Sequence, residues 1–149
     1  MAYCKELTKQ MLIDMGITVS EEKDEKGNYK IFRTWRTCRN APITKYQIKY
    51  FLDSKYNKWS EKTMYYYKVE FSYKMKAQIY SIHRLYYAWF KGCAPEGMVI
   101  DHIDNNTFNN DISNLQPLTY KESIEKRSGH KCKFTTEKWR LEHEVNKDK

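Results

Sequence analysis

Asp101 and His102 stand side by side at the end of Gly97-Met-Val-Ile-Asp-His102, which reads as a short strand, and a helix is expected to begin at Thr119. Adjacent strand residues point to opposite faces, but a bend just beyond the strand can bring both to one site. A strand, a polar loop and a helix folded back can place a carboxylate, an imidazole and a helix residue around one small space. That set suits a hard divalent ion on oxygen ligands, with the histidine on its substrate side. Mg²⁺ needs only one or two protein carboxylates and keeps several waters, so a sparse ligand set suffices. Taken alone, an Asp-His pair is also an ordinary polar turn.

The loop between these parts, Asp104 to Asn114, is dense in Asn and Asp, residues that satisfy their own backbone in turns. It is not an EF-hand: counted from Asp104, the sixth place is Asn109 where Gly is needed, and the twelfth is Leu115 where Glu is needed. Asn105, Asn106, Asn109 and Asn110 read as loop-building residues. Cys4, Cys38, Cys93 and Cys132 are dispersed with no C-x-x-C pair, so no structural zinc is expected, and His130 and Cys132 read as surface residues. Free thiols and the lack of an apolar N-terminal run suit a reducing cytoplasm.

The elements that must position these residues follow from pattern. Leu7, Met11, Leu12 and Met15 predict a helix over 5–15, capped by Gly16. Ile17-Thr-Val and Tyr29 to Trp35 read as strands flanking a charged turn that ends in Gly27-Asn28. Lys45 to Leu52 fits helix or strand equally. Met64 to Phe71 and Ala77 to Ile82 read as a hairpin joined by Ser72 to Lys76. His83 to Lys91 reads as a buried helix ended by Gly92. Thr119 and Glu122 have capping-box spacing, with a helix running to about Arg127.

The chain has 149 residues with 27 Lys and Arg against 19 Asp and Glu, a net charge of +8. That surplus points to a polyanionic partner, nucleic acid before an anionic membrane surface. No apolar run is long enough to span a membrane. The surplus is concentrated between Lys30 and Lys58, where Asp53 is the one acid. Arg33, Arg36 and Arg39 lie there and are read as DNA-backbone contacts, which give affinity and salt dependence rather than sequence choice.

The segment Ile82 to Gly129 resembles the HNH (ββα-metal, His-Me finger) nucleases, especially phage and intron-encoded homing endonucleases. The resemblance is carried by His83-Arg84, Val99-Ile-Asp-His-Ile-Asp-Asn-Asn106, Asn109-Asn110, Asn114-Leu115 and Thr119, in the family's order and spacing. It implies a metal-dependent DNA endonuclease. Asp101 would hold Mg²⁺ or another divalent ion such as Mn²⁺. His102 would be the general base, a role suited to a group titrating near neutral pH. Asn114 would hold the loop and orient the histidine. His83 and Arg84 would face the DNA.

One position departs from the pattern. The second metal ligand, usually Asn or His, is Ser123 here, a weaker and shorter ligand. Ser123 can bind through a water, Glu122 can substitute, or the enzyme is slow or inactive. The expected architecture is α+β: a ββα-metal nuclease core with a preceding β-hairpin and a small N-terminal α/β accessory module. In residues, this is a basic DNA-contacting module over 1–58, the nuclease domain over 62–129 and a charged tail over 130–149. Expected partners are double-stranded DNA and no membrane, with the chain a monomer or weak dimer. The alternatives are a DNA-binding protein of HNH ancestry whose cleavage has decayed and, more weakly, an RNA-binding module.

Overall fold

The computed structural model describes residues 5–36, 38–58 and 61–128. The tail over 130–149, with His130 and Cys132, lies outside them, as does Cys4. Strand β1 (Leu7–Thr8) leads into helix α1 (Lys9–Asp14), where Thr8 caps the helix by accepting from the Met11 amide at 3.2 Å. The helix is shorter than the expected 5–15, because Leu7 and Thr8 pair with β8 (Cys93–Ala94) instead of coiling. Gly16 follows at φ +79°, and a Cβ there would sit 2.4 Å from the Thr34 carbonyl oxygen, so the turn out of α1 admits only glycine.

Two antiparallel meanders follow. The first joins β2 (Ile17–Lys23), β3 (Tyr29–Arg36) and β4 (Ile43–Ile48). The second joins β5 (Phe51–Asn57), β6 (Lys62–Tyr73) and β7 (Lys76–Ser81). Lys45 to Leu52, ambiguous by periodicity, is therefore split between the end of one sheet and the start of the other. In β3 the period-2 alternation is clear, with Tyr29, Ile31 and Arg33 facing inward.

Helix α2 (Ile82–Lys91) leaves β7 directly and ends at Gly92, which is left-handed at φ 92°. It buries Ile82, Leu85, Tyr86 and Ala88 and packs against α1, β1, β6, β7 and β8. Fully burying one such aliphatic side chain contributes about 1.5–3 kcal/mol. The core that forms around α2 draws on Leu12, Ile17 and Ile31 from the N-terminal part and on Val69 from β6.

Beyond α2 the chain forms β9 (Met98–His102), a long loop with one 3₁₀ turn, β10 (Leu115–Thr119) and α3 (Tyr120–Ser128). β9 and β10 pair antiparallel and also pack on α2. The capping box is present: Thr119 Oγ1 accepts from the Glu122 amide at 3.1 Å, and Glu122 Oε1 accepts from the Thr119 amide at 3.3 Å. Among the described residues no helix is long and apolar enough to cross a membrane.

Candidate active site

The β9–β10 register sets His102 opposite Leu115 and Asp101 opposite Gln116. The two neighbours diverge, as strand alternation demands. Asp101 reaches toward α3: its Oδ2 accepts from Gln116 Nε2 at 3.0 Å and from Lys126 Nζ at 2.5 Å. Lys126 Nζ donates also to the main-chain oxygens of His102 at 2.8 Å and Ile103 at 3.2 Å. His102 is buried and turns toward α2 and the loop. Its ring centroid is 4.8 Å from that of His83, and its Nε2 lies 2.8 Å from Asn110 Oδ1. An amide oxygen only accepts, so this contact is a hydrogen bond in the tautomer that carries its proton on Nε2 and keeps the lone pair on Nδ1.

The loop is held by its own side chains. Asn114 Oδ1 accepts from the Asp104 amide at 3.1 Å, and Nδ2 donates to Asp104 Oδ1 and to the Asn109 carbonyl, each at 2.9 Å. The Ile103 amide donates to the Asn114 carbonyl at 2.8 Å, closing the loop's neck. Asp104 also accepts from Asn109 Nδ2 at 2.9 Å and from the Asn106 amide at 2.8 Å. These hydrogen bonds, that from Asn109 foremost, pull the exposed Asp104 carboxyl down to about 2. Asn105, at φ 62°, takes the left-handed conformation that asparagine tolerates better than most residues.

Residues 80–123, which contain all of this loop and both strands, match the family described as HNH endonuclease. Over that segment the chain is similar to HNH endonucleases. Over 50 residues the chain is also 42% identical to a Bacillus subtilis (strain 168) protein whose name reads "SPbeta prophage-derived putative HNH homing endonuclease YosQ". The aligned stretch covers 34% of this chain and 29% of that relative. No solved structure matches.

Within the HNH segment, the residues expected from sequence fall in three groups. Asp101, His102, Asn114 and His83 surround the β9–loop–β10 unit. Ser123 is buried on α3, three residues before Lys126, so the two share a helix face, and Lys126 reaches Asp101 from it. Arg84 is committed to main-chain oxygens: Nη1 donates to Met98 at 3.0 Å, and Nη2 to Lys5 and, at 3.4 Å, to Pro95. It clamps the chain around β8 rather than offering its guanidinium outward.

Arg33, expected to contact DNA, requires a correction. It is 3% exposed, its Nε donates to the Met15 carbonyl at 3.1 Å, and its guanidinium stacks 4.5 Å from Trp35 and 5.0 Å from Phe71. Strand alternation turns it inward, whereas Arg36 and Arg39 are exposed and joined by a hydrogen bond from Arg36 Nη1 to the Arg39 carbonyl.

The orientation of His102 also comes from a different residue than expected. Asn110 contacts the imidazole, while the hydrogen bonds of Asn114 all go to the loop. Asn110 was visible as the second Asn of Asn109-Asn110, but nothing in its type separates it from its loop-building neighbours. Lys126 was missed too; its only signal was its place one helical turn after Ser123.

The donor set around Asp101 is compatible with a divalent ion. Among the described residues no three His, Cys, Asp or Glu side chains cluster as a cage. Asp101 Oδ2 and the His102 and Ile103 carbonyl oxygens nonetheless converge on one cation, the Lys126 ammonium. A carboxylate with neutral oxygens is what a hard cation takes, the remaining positions being filled by water.

Proposed function

We propose that the chain is a divalent-metal-dependent HNH endonuclease that hydrolyses a DNA phosphodiester, with β9, β10 and α3 as its ββα-metal core. The observation that carries this reading is a buried His102 whose Nε2 lies 2.8 Å from Asn110 Oδ1, one strand position from the oxygen cluster on Asp101. In this reading His102 Nδ1 takes the proton of the attacking water. Asn110 keeps the ring oriented, and Asn114 keeps the loop closed behind it. Asp101 holds the ion, with Ser123 contributing directly or through a water. A bound divalent ion supplies charge stabilisation at the phosphate and at the leaving 3′ oxygen. In the same reading His83, in ring contact with His102, faces the phosphate, and Arg36 and Arg39 hold the duplex backbone.

By analogy with the name of its B. subtilis relative, the activity is that of a phage-borne homing-type endonuclease acting on double-stranded DNA in the host cytoplasm. One such site cuts one strand at a time, which suits a monomer or weak dimer. A plasmid-nicking assay with Mg²⁺, Mn²⁺ or EDTA, comparing wild type with His102→Ala, tests the reading. Metal-dependent nicking that falls ~100-fold or more in the variant is expected. Equal nicking by both proteins would overturn it.

A second reading rests on Ser123 and on the Lys126 ammonium over Asp101: a DNA-binding protein of HNH ancestry that no longer cuts. Salt-sensitive DNA binding without nicking in any metal would favour it, as would cutting gained by Ser123→Asn.

A further inference from the structure

The tip of the β2–β3 hairpin is joined to the loop behind His102. Lys23 forms an ion pair with Asp111, which with the Ser113 contacts holds that carboxyl well below the usual carboxylate range. The Tyr29 hydroxyl donates to Asp111 Oδ2 at 3.3 Å and accepts from the Ile112 amide at 3.1 Å. Between these surface contacts runs a buried one. Asn28 is 0% exposed and Asn110 1% exposed, and Asn110 Nδ2 donates to Asn28 Oδ1 at 3.1 Å.

The turn itself does not need the Asn28 side chain. Its main chain closes the turn, the amide donating to Asp24 Oδ1 at 3.0 Å and the carbonyl accepting from the Asp24 amide at 2.8 Å. The side-chain oxygen is spent on Asn110. Asn28 Nδ2 is directed at the Tyr50 hydroxyl oxygen, whose proton goes to Asp24, so the amide is held with its Oδ1 toward Asn110.

What Asn28 decides is which end of the Asn110 amide faces the imidazole. Turned over, Asn110 would present Nδ2 to His102 Nε2, and the imidazole proton would move to Nδ1. With Asn28 Oδ1 accepting, Nδ2 is drawn away and Oδ1 is left for His102. We propose that Asn28 is a positioning residue for His102: through Asn110 it fixes the Nε2–H tautomer and leaves the Nδ1 lone pair for the reaction. The N-terminal hairpin thereby completes the site. The consequence for cutting rests on the nuclease reading above; the tautomer itself does not.

The test therefore begins without DNA. Long-range ¹H–¹⁵N spectra of the full chain at mildly alkaline pH read the His102 tautomer directly. Wild type is expected to show the Nε2–H form, and Asn28→Ala a mixture containing Nδ1–H. Asn28→Asp, which offers only acceptor oxygens, is expected to keep the wild-type form. An Nδ1–H signal in wild type would overturn the proposal whether or not any variant folds, as would an unchanged tautomer in Asn28→Ala. Where nicking is measurable, Asn28→Ala should lower kcat ~10-fold with KM unchanged, and should add less than ~2-fold in an Asn110→Ala background. Additive losses would mark a structural role instead. Absence of nicking in wild type would remove the nuclease reading and leave the tautomer result standing.

Discussion

Lys126 Nζ lies 2.5 Å from Asp101 Oδ2 and bonds in the same place to two main-chain oxygens of the β9 end. The cation that neutralises the candidate metal ligand is thus built into α3, one turn beyond Ser123. Any divalent ion that uses Asp101 meets this ammonium first.

Removing the ammonium should therefore strengthen metal binding. If the lysine holds the site nine-tenths of the time, the apparent Kd is raised about tenfold, and Lys126→Met recovers that factor. Mn²⁺ binding without DNA, read by electron paramagnetic resonance, measures it. Weaker binding in the variant would mean that Lys126 shapes the oxygen site rather than competes for it.

Asn114 supports the loop with three side-chain hydrogen bonds, two of them to Asp104. Asn114→Ala should cost about 2–4 kcal/mol in urea unfolding, since the Asp104 amide and Asn109 carbonyl lose their partner in a partly buried setting. Asn114→Asp should be worse near neutral pH, because it sets a second carboxylate against Asp104, and should recover part of the loss on mild acidification. An aspartate variant as stable as wild type would contradict the wiring described.

The sequence made the motif residues legible because their chemistry is local: Asp101 and His102 end one strand, and Thr119 and Glu122 cap one helix. It also gave both hairpins and α2, whose β-branched and aromatic runs are bounded by turn residues. Arg33 was misread because charge argues for the surface, and only the β3 register shows that its position points inward onto Trp35 and Phe71. Asn28 and Asn110 could not be linked, since 82 positions separate them and neither carries a pattern. The short reach of α1 was hidden for the same reason: its strand partner, Cys93–Ala94, lies far along the chain.

His83 gives a pH dependence. Burial, with the neighbouring His102 and Arg84 charges, pushes its imidazole from 6.5 down to about 3. Between those values the unfolded chain binds a proton that the folded chain does not, so stability falls as pH drops below about 6.5. By pH 5 the loss reaches about 2 kcal/mol at most. The low-lying Asp104 and Asp111 carboxyls withdraw their support at more acid pH, as pH falls from the free-carboxylate range toward their lowered values. Urea unfolding at pH 7.5 and pH 5 should show a smaller drop for His83→Gln than for wild type. Equal drops would assign the acid sensitivity elsewhere.

The arginines separate binding from folding. Arg36 and Arg39 are exposed, so in the nuclease reading Arg36→Ala and Arg39→Ala should each weaken DNA binding across all sequences and lower the salt slope by about 1, with the urea midpoint unchanged. Arg33 has the opposite place. Its guanidinium is enclosed between Trp35 and Phe71 and anchors the Met15 carbonyl, so Arg33→Ala should reduce stability by about 2–3 kcal/mol through lost packing and an unpaired carbonyl. Fluorescence anisotropy on a labelled duplex over a salt series, paired with urea unfolding, reads both effects. An Arg33 variant of full stability and reduced salt slope would return that residue to the DNA-facing surface.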